Sequence, residues 1–133
     1  MDKILLIEDE TSLVTMYKIL LEAKGYEVIT SRESNDAYAL AKEHHPALIF
    51  LDLVFPKTGS DGGVQELSKK TGFGLLQALK ADSLTKDIPV VVLTNLGSED
   101  DETRAEELGA IDFVIKSKLL PRELINKIDK WLK

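Results

Sequence analysis

The fold is decided by residues 47–52, which read Ala-Leu-Ile-Phe-Leu-Asp. Five apolar residues follow one another without the alternation of a half-exposed strand, so the stretch predicts a strand covered on both faces. Similar short runs, rich in Ile, Val and Leu, recur at residues 3–7, 27–30, 88–93 and 112–115. Strands of this kind are typical of a parallel sheet buried between helices.

Amphipathic helical patterns separate these strands. We predict helices from about residue 13 to Gly25, at about 34–45, 74–81 and 99–108, and from Pro121 to near the end of the chain. Gly25 is expected to stop the first helix, and Pro121 suits the first turn of the last one. Five strand–helix units in sequence predict an α/β fold, a doubly wound five-stranded parallel sheet flanked by five helices.

Composition limits the class of protein. The chain has 133 residues, a length that suits one domain, and its 17 Lys+Arg against 23 Asp+Glu give a net charge of -6. This acidic balance argues against a nucleic-acid partner. Since the chain contains no Cys, a disulfide scaffold, a thiolate zinc site and a Cys nucleophile are excluded. We find no signal peptide and no apolar run near the roughly 20 residues that span a bilayer. A cytoplasmic domain without a membrane partner is therefore expected.

One connection is longer than the others. Between the third and fourth strands the chain holds an excess segment, residues 57–71, which contains three Gly and several polar residues. We predict an inserted long loop within a single domain that spans residues 1–133, with one helical turn near 64–69 as an option. A connection of this length is usually functional or disordered, and we favour a mobile excursion over a dedicated binding element.

Polar side chains follow four of the five strands, where a doubly wound sheet binds its ligands. They are Glu8, Asp9, Asp52, Thr94, Asn95 and Lys116. Any one of them alone could simply cap a turn or a helix, but their convergence at one edge favours a site. Three close carboxylates repel one another unless a cation lies among them, and oxygen ligands favour a hard ion such as Mg²⁺. A carboxylate beside such an ion can attack phosphorus and form an aspartyl phosphate.

The whole pattern outside the insertion resembles the receiver domains of two-component response regulators, of the chemotaxis single-domain type. The matching segments are residues 3–10 (KILLIEDE), 47–56 (ALIFLDLVFP), 72–80 (GFGLLQALK), 88–95 (IPVVVLTN) and 109–116 (GAIDFVIK). The resemblance implies a flavodoxin-like sheet with strand order 2-1-3-4-5. It also implies a signalling domain that is not an enzyme beyond self-phosphorylation and self-dephosphorylation.

The same resemblance assigns the phosphoacceptor and the metal ligands. Asp52 matches the phosphoacceptor, and with Asp9 it would ligate Mg²⁺ directly. Glu8 would act on the ion through water. Val54, two residues beyond the phosphoacceptor, would offer its main-chain carbonyl to the metal.

Further matches concern the switch. Thr94 matches the switch hydroxyl, Lys116 the lysine that contacts the phosphoryl group, and Phe113 the aromatic switch position. Asn95 stands where many members have Ala or Gly, so its amide is expected to restrict access to the site. Ser117 replaces the usual Pro after the lysine.

The expected function is a phosphoacceptor switch in a phosphorelay, with a histidine kinase or phosphotransfer protein as donor. Because no output domain follows Lys133 in the sequence, the signal is expected to leave by contact with a target protein. Alternatives are a pseudo-receiver that works without phosphorylation and a receiver excised from a hybrid kinase. An aspartate-dependent phosphatase is disfavoured, since Val54 stands where such enzymes carry a second acid.

Overall fold

The computed structural model describes residues 2–53, 71–95 and 97–132. Five strands form one sheet: β1 (Lys3–Ile7), β2 (Glu27–Ser31), β3 (Leu48–Leu51), β4 (Val90–Thr94) and β5 (Asp112–Ile115). All neighbouring strands run parallel, and their order is β2-β1-β3-β4-β5. The predicted parallel sheet and the implied strand order are both confirmed.

Helices connect the strands and cover both faces of the sheet. They are α1 (Thr11–Ala23), α2 (Ser34–His44), α3 (Thr71–Ala81), α4 (Glu99–Glu107), α5 (Pro121–Asn126) and α6 (Ile128–Trp131), with a 3-10 turn at Lys116–Lys118. Gly25 lies just beyond the end of α1 and has a φ of 97°. Glycine adopts this left-handed conformation, which commonly ends helices, without steric strain. A capping box in which Ser98 and Asp101 bond each other's backbone starts α4.

The two faces of the sheet carry separate apolar layers. Alternate residues of each strand point to opposite faces, so Leu5 packs with α2, α3 and α4, whereas Leu6 packs with α1, α5 and α6. The strand residues of both layers are almost fully buried. This explains why the strands read as continuous apolar runs rather than as alternating ones.

The structure differs from the predicted helices in two places. Helix α3 begins at Thr71, three residues before the predicted start, although Gly72 and Gly74 lie in its first turns. The last helix was predicted as one piece, yet it is divided at Lys127 into α5 and α6. The backbone of Lys127 keeps nearly helical angles, φ −84° and ψ −10°, so the apolar side chains of both pieces still face one core.

The inserted segment is only partly covered by the described residues. Its last predicted residue, Thr71, belongs to α3, which shortens the predicted loop by one residue. Residues 57–70 lie outside the described residues, and so does Val54. The predicted loop and the carbonyl ligand of Val54 therefore stay predictions.

Candidate functional site

Backbone hydrogen bonds carry the sheet one residue beyond its strands, and this brings the acidic residues together. The amide of Asp52 donates to the carbonyl of Ile7 at 3.1 Å, and the amide of Glu8 donates to the carbonyl of Ser31 at 3.0 Å. Glu8 and Asp52 are consequently held in neighbouring positions at the carboxyl edge. This edge is where parallel α/β sheets bind ligands.

A cavity of about 390 Å³ opens at this edge. Its lining consists of Glu8, Asp9, Glu10, Asp52, Thr94, Asn95 and Lys116. Every described side chain that the sequence assigned to phosphate or metal chemistry contributes to this lining. The convergence predicted from the strand ends thus exists in the folded chain.

Lys116 bonds two of the carboxylates that line the cavity. Its ammonium donates to Asp52 Oδ2 at 3.0 Å and also hydrogen-bonds Glu8 Oε1. The three side chains are 7% (Lys116), 3% (Glu8) and 9% (Asp52) exposed. Ion pairs this deeply buried depend on each partner, since losing one leaves a charge without compensation.

Burial and charge together shift the protonation of this pair. Burial raises the pKa of Glu8 to about 7, an effect opposed by the hydrogen bond from Lys116 and reinforced by the charge of Asp52. Burial by itself would lower the pKa of Lys116, but the negative charges of Asp52 and Glu8 outweigh it and raise this pKa. Lys116 is therefore a firmly held cation in a site with surplus negative charge.

The donor set fits a divalent cation. One carboxylate oxygen from each of Glu8, Asp9 and Asp52 lies within 4.8 Å of the other two. Glu8 and Asp52 are buried and Asp9 is half-buried, so part of the cluster faces solvent. Three hard oxygen donors with room for water are the surroundings that Mg²⁺ prefers.

Two polar side chains from the end of β4 complete the rim. Thr94 is buried, and in the sheet it pairs with Ile115, the residue before Lys116. Asn95 is exposed and lines the cavity. A hydroxyl and an ammonium therefore lie on the β4–β5 side of the carboxylates, where they can donate to an oxyanion.

Phe113 is the one described switch residue that does not line the cavity. Its ring is half-buried and packs beside the core layer of α2, α3 and α4. It lies directly against Gly97: a Cβ on Gly97 would come within 2.7 Å of two ring atoms. The ring thus contacts the loop that connects Thr94 to α4, which places it next to the site without entering it.

Sequence reasoning missed two residues that touch this site. Arg32, just after β2, donates from Nη2 to the main-chain carbonyl of Asp9 at 3.1 Å. Gly72 packs against the backbone of Asp52 and Leu53, and its amide donates to the Leu53 carbonyl at 2.9 Å. The rule that ligands bind at the carboxyl ends of parallel strands points to Arg32 as well, because β2 ends at the same edge. The close approach of Gly72 to the backbone of Asp52 has no signal in the sequence.

A larger depression of about 870 Å³ lies at the opposite, amino edge of the sheet. Ala47, Pro89 and Ile111, each just before a strand, line it together with Asp2, Asp87 and Asp112. Within the described part of the chain, the carboxylates close enough to share an ion are those of Glu8, Asp9 and Asp52. The carboxylate cluster therefore favours the smaller cavity over the larger one as the candidate functional site.

None of the helices in the described residues has the length and apolar character needed to cross a membrane.

Comparison with known proteins gives relatives along nearly the whole chain. The phosphate regulon transcriptional regulatory protein PhoB of Pseudomonas aeruginosa is 34% identical over 130 residues, which cover 98% of this chain and 51% of that protein. This chain thus spans about half the length of that relative.

Solved structures share the fold. The Mn(2+)-bound form of response regulator Rcp1 is 28% identical, with a TM-score of 0.78 and coverage of 100% of this chain and 96% of that one. The BeF3-activated receiver domain of Klebsiella pneumoniae RstA is 24% identical, with a TM-score of 0.81 and coverage of 99% of both chains. The family model described as "Response regulator receiver domain" matches residues 4–129. Fold, edge cavity and family match agree: this chain belongs to the response regulator receiver domains of two-component systems.

Proposed function

We propose that this receiver domain is a phosphorylation-controlled switch in which Asp52 accepts a phosphoryl group. The observation that supports this most is the arrangement around Asp52 Oδ2. Lys116 Nζ lies 3.0 Å away, and the carboxylates of Glu8 and Asp9 come from the end of the neighbouring strand β1. A nucleophilic carboxylate that bonds a fixed cation and belongs to a cation-binding cluster suits transfer of a charged phosphoryl group.

The proposed donor is a phosphohistidine on a histidine kinase or a phosphotransfer protein. A carboxylate oxygen of Asp52 forms a bond to phosphorus while the bond from phosphorus to the imidazole nitrogen breaks. The electron pair of the broken bond stays on the imidazole. Lys116 then donates a hydrogen bond to a phosphoryl oxygen, and the hydroxyl of Thr94 is placed on the same side to donate another.

Glu8, Asp9 and Asp52 would hold Mg²⁺, with the main-chain carbonyl of Val54 as a further expected ligand. When bound, the ion supplies positive charge that offsets the charge of the transferring group. The Mn(2+)-bound form of Rcp1 supports a divalent ion for this fold at 28% identity. In this chain, the folded sheet brings together three carboxylate oxygens, and its β5 end holds Lys116 beside the nucleophile Asp52.

The signal would leave through the side of the domain that carries Thr94 and Phe113. Strand β4 pairs directly with β5, with Val92 opposite Phe113 and Thr94 opposite Ile115. A hydrogen bond from Thr94 to the phosphoryl group would pull the β4–α4 loop, against which the ring of Phe113 packs at Gly97. We propose that the face of α4, β5 and α5 changes in this way and is read by a target protein.

Beryllofluoride, which mimics an aspartyl phosphate, tests this function. Addition with Mg²⁺ is expected to shift the amide resonances of Thr94 and Phe113, because its three fluorine atoms accept hydrogen bonds in place of the three oxygens of a phosphoryl group. The matched control is Asp52→Asn, which keeps the size of the side chain and removes the attachment point. Unchanged spectra in the wild type would contradict the proposal and favour an interaction module that works without phosphorylation.

A further inference from the structure

The turn after β2 carries a cation to the acidic loop. Arg32 is the first residue after β2, and its exposed side chain reaches across to the loop between β1 and α1. There its Nη2 donates to the main-chain carbonyl of Asp9 at 3.1 Å. The contact joins the edge strand of the sheet to a residue of the carboxylate cluster.

The turn itself is fixed by Ser31, which is 2% exposed. The Ser31 hydroxyl lies 3.0 Å from Asp36 Oδ2 and 3.0 Å from the carbonyl of Glu33, two acceptors in the same turn. The Ser31 carbonyl accepts the amide of Glu8 at 3.0 Å. The backbone at Arg32 is therefore already ordered, so the bond to Asp9 costs side-chain freedom and little further backbone freedom.

The acidic loop consists of Glu8, Asp9 and Glu10 and leads from β1 into α1. Glu10 starts α1 without a side-chain capping bond, and its amide donates to Glu8 Oε2 at 3.2 Å. Because the peptide group is planar, the direction of the Asp9 carbonyl fixes the plane of the peptide that joins Asp9 to Glu10. A bond to that carbonyl consequently helps to set the direction in which the Asp9 carboxylate points.

We propose that Arg32 is a positioning residue that holds Asp9 ready for Mg²⁺. The inference rests on the proposed function, since it concerns the same metal site. Outer residues that orient metal ligands commonly contribute to metal affinity although they never touch the ion. Arg32 also carries a positive charge, which by itself would repel a divalent cation. Positioning and repulsion predict opposite effects of removing the side chain.

The test measures the Mg²⁺ dissociation constant by titration of amide resonances in wild type and Arg32→Met. Methionine keeps an unbranched apolar stem and loses both the charge and the hydrogen-bond donors. Positioning predicts affinity weakened by roughly threefold to tenfold, at or below the low end for partners of metal ligands. Arg32→Lys keeps the charge but loses the planar guanidinium group, and its Mg²⁺ affinity is expected to lie between those of the wild type and Arg32→Met. The matched control is Lys24→Met, which removes an exposed cation from the far end of α1.

Salt separates the two effects. At 1 M salt, charges are screened beyond about 3 Å, so the loss of affinity in Arg32→Met is expected to persist or grow there. Tighter or unchanged Mg²⁺ binding in this variant at 1 M salt, where the repulsion is screened, would overturn the inference. If the wild type itself binds no Mg²⁺, the proposed metal site fails together with it. If the wild type binds Mg²⁺ and Arg32→Met binds it equally well, only the role of Arg32 fails.

A second readout needs no metal. In the metal-free protein, the amide of Glu10 is expected to exchange its hydrogen several-fold faster in Arg32→Met, because the loop opens more often without its outer bond. The amides of β2 should keep their wild-type rates, since the sheet ladder is untouched. Equal exchange at Glu10 in both proteins would also overturn the inference.

Discussion

Replacing Gly72 with alanine is expected to destabilise the domain by about 3 kcal/mol and to disturb the phosphoacceptor loop. The added Cβ would lie 2.6 Å from the carbonyl oxygen of Asp52 and 2.6 Å from the Cα of Leu53. Both atoms belong to the backbone at the end of β3 and cannot rotate away, so α3 or the loop must move. Chemical denaturation measures the loss of stability, and the rate of phosphorylation by a small phosphodonor measures the effect on Asp52.

Gly74→Ala is the matched control in the same helix. Gly74 is exposed, and a Cβ there would meet nothing within 4 Å. Since alanine favours helix more than glycine does, this variant should keep its stability or gain about 0.5–1 kcal/mol. Equal stabilities of the two variants would show that α3 does not press on the backbone of Asp52.

Lys116→Met is expected to destabilise the metal-free domain by about 3 kcal/mol, the low end of the cost of breaking a buried ion pair. Removal of the ammonium takes a shared cation from Glu8 and Asp52, which are 3% and 9% exposed. The pKa of Glu8, already raised to about 7, should rise further because the hydrogen bond from Lys116 lowers it in the wild type. Denaturation curves measure the loss of stability, and the same curves repeated across pH report the change in the Glu8 pKa. Added Mg²⁺ should stabilise the variant more than the wild type, because it replaces the missing positive charge.

Lys118→Met provides the comparison, because Lys118 is exposed and lies in the same 3-10 turn. Its replacement should change the stability by less than about 0.5 kcal/mol, as expected for a surface site. If Lys116→Met proves as harmless as Lys118→Met, the buried contacts of Lys116 do not stabilise the fold as described.

The sheet could be predicted because its strands are buried on both faces. Each apolar run is short and rich in Ile, Val and Leu, which favours a buried strand over a buried helix. The chemistry of the strand ends followed from the rule that ligands bind at the carboxyl edge. Glu8, Asp9, Asp52, Thr94 and Lys116 line one cavity for that reason. Arg32 obeys the same rule and was missed because it bonds a main-chain carbonyl, an acceptor that every residue carries and that the sequence therefore does not mark.

The start of α3 could not be predicted, since a glycine can indicate either a flexible loop or a place where two backbones lie in close contact. Gly72 suggests a loop by its flexibility, yet it lies inside the helix, as does Gly74 at the predicted start. Gly72 is required by the close approach of two backbones, which only the folded chain shows. The division of the last helix at Lys127 likewise has no sequence signal, because neither Gly nor Pro occurs near it.

The most direct measurement is the intact mass of the protein after incubation with acetyl phosphate, with and without Mg²⁺. The wild type is predicted to gain the mass of one phosphoryl group only when Mg²⁺ is present, and Asp52→Asn is predicted to gain none. No gain in the wild type, or an equal gain in Asp52→Asn, would contradict the assignment of Asp52 as the phosphoacceptor.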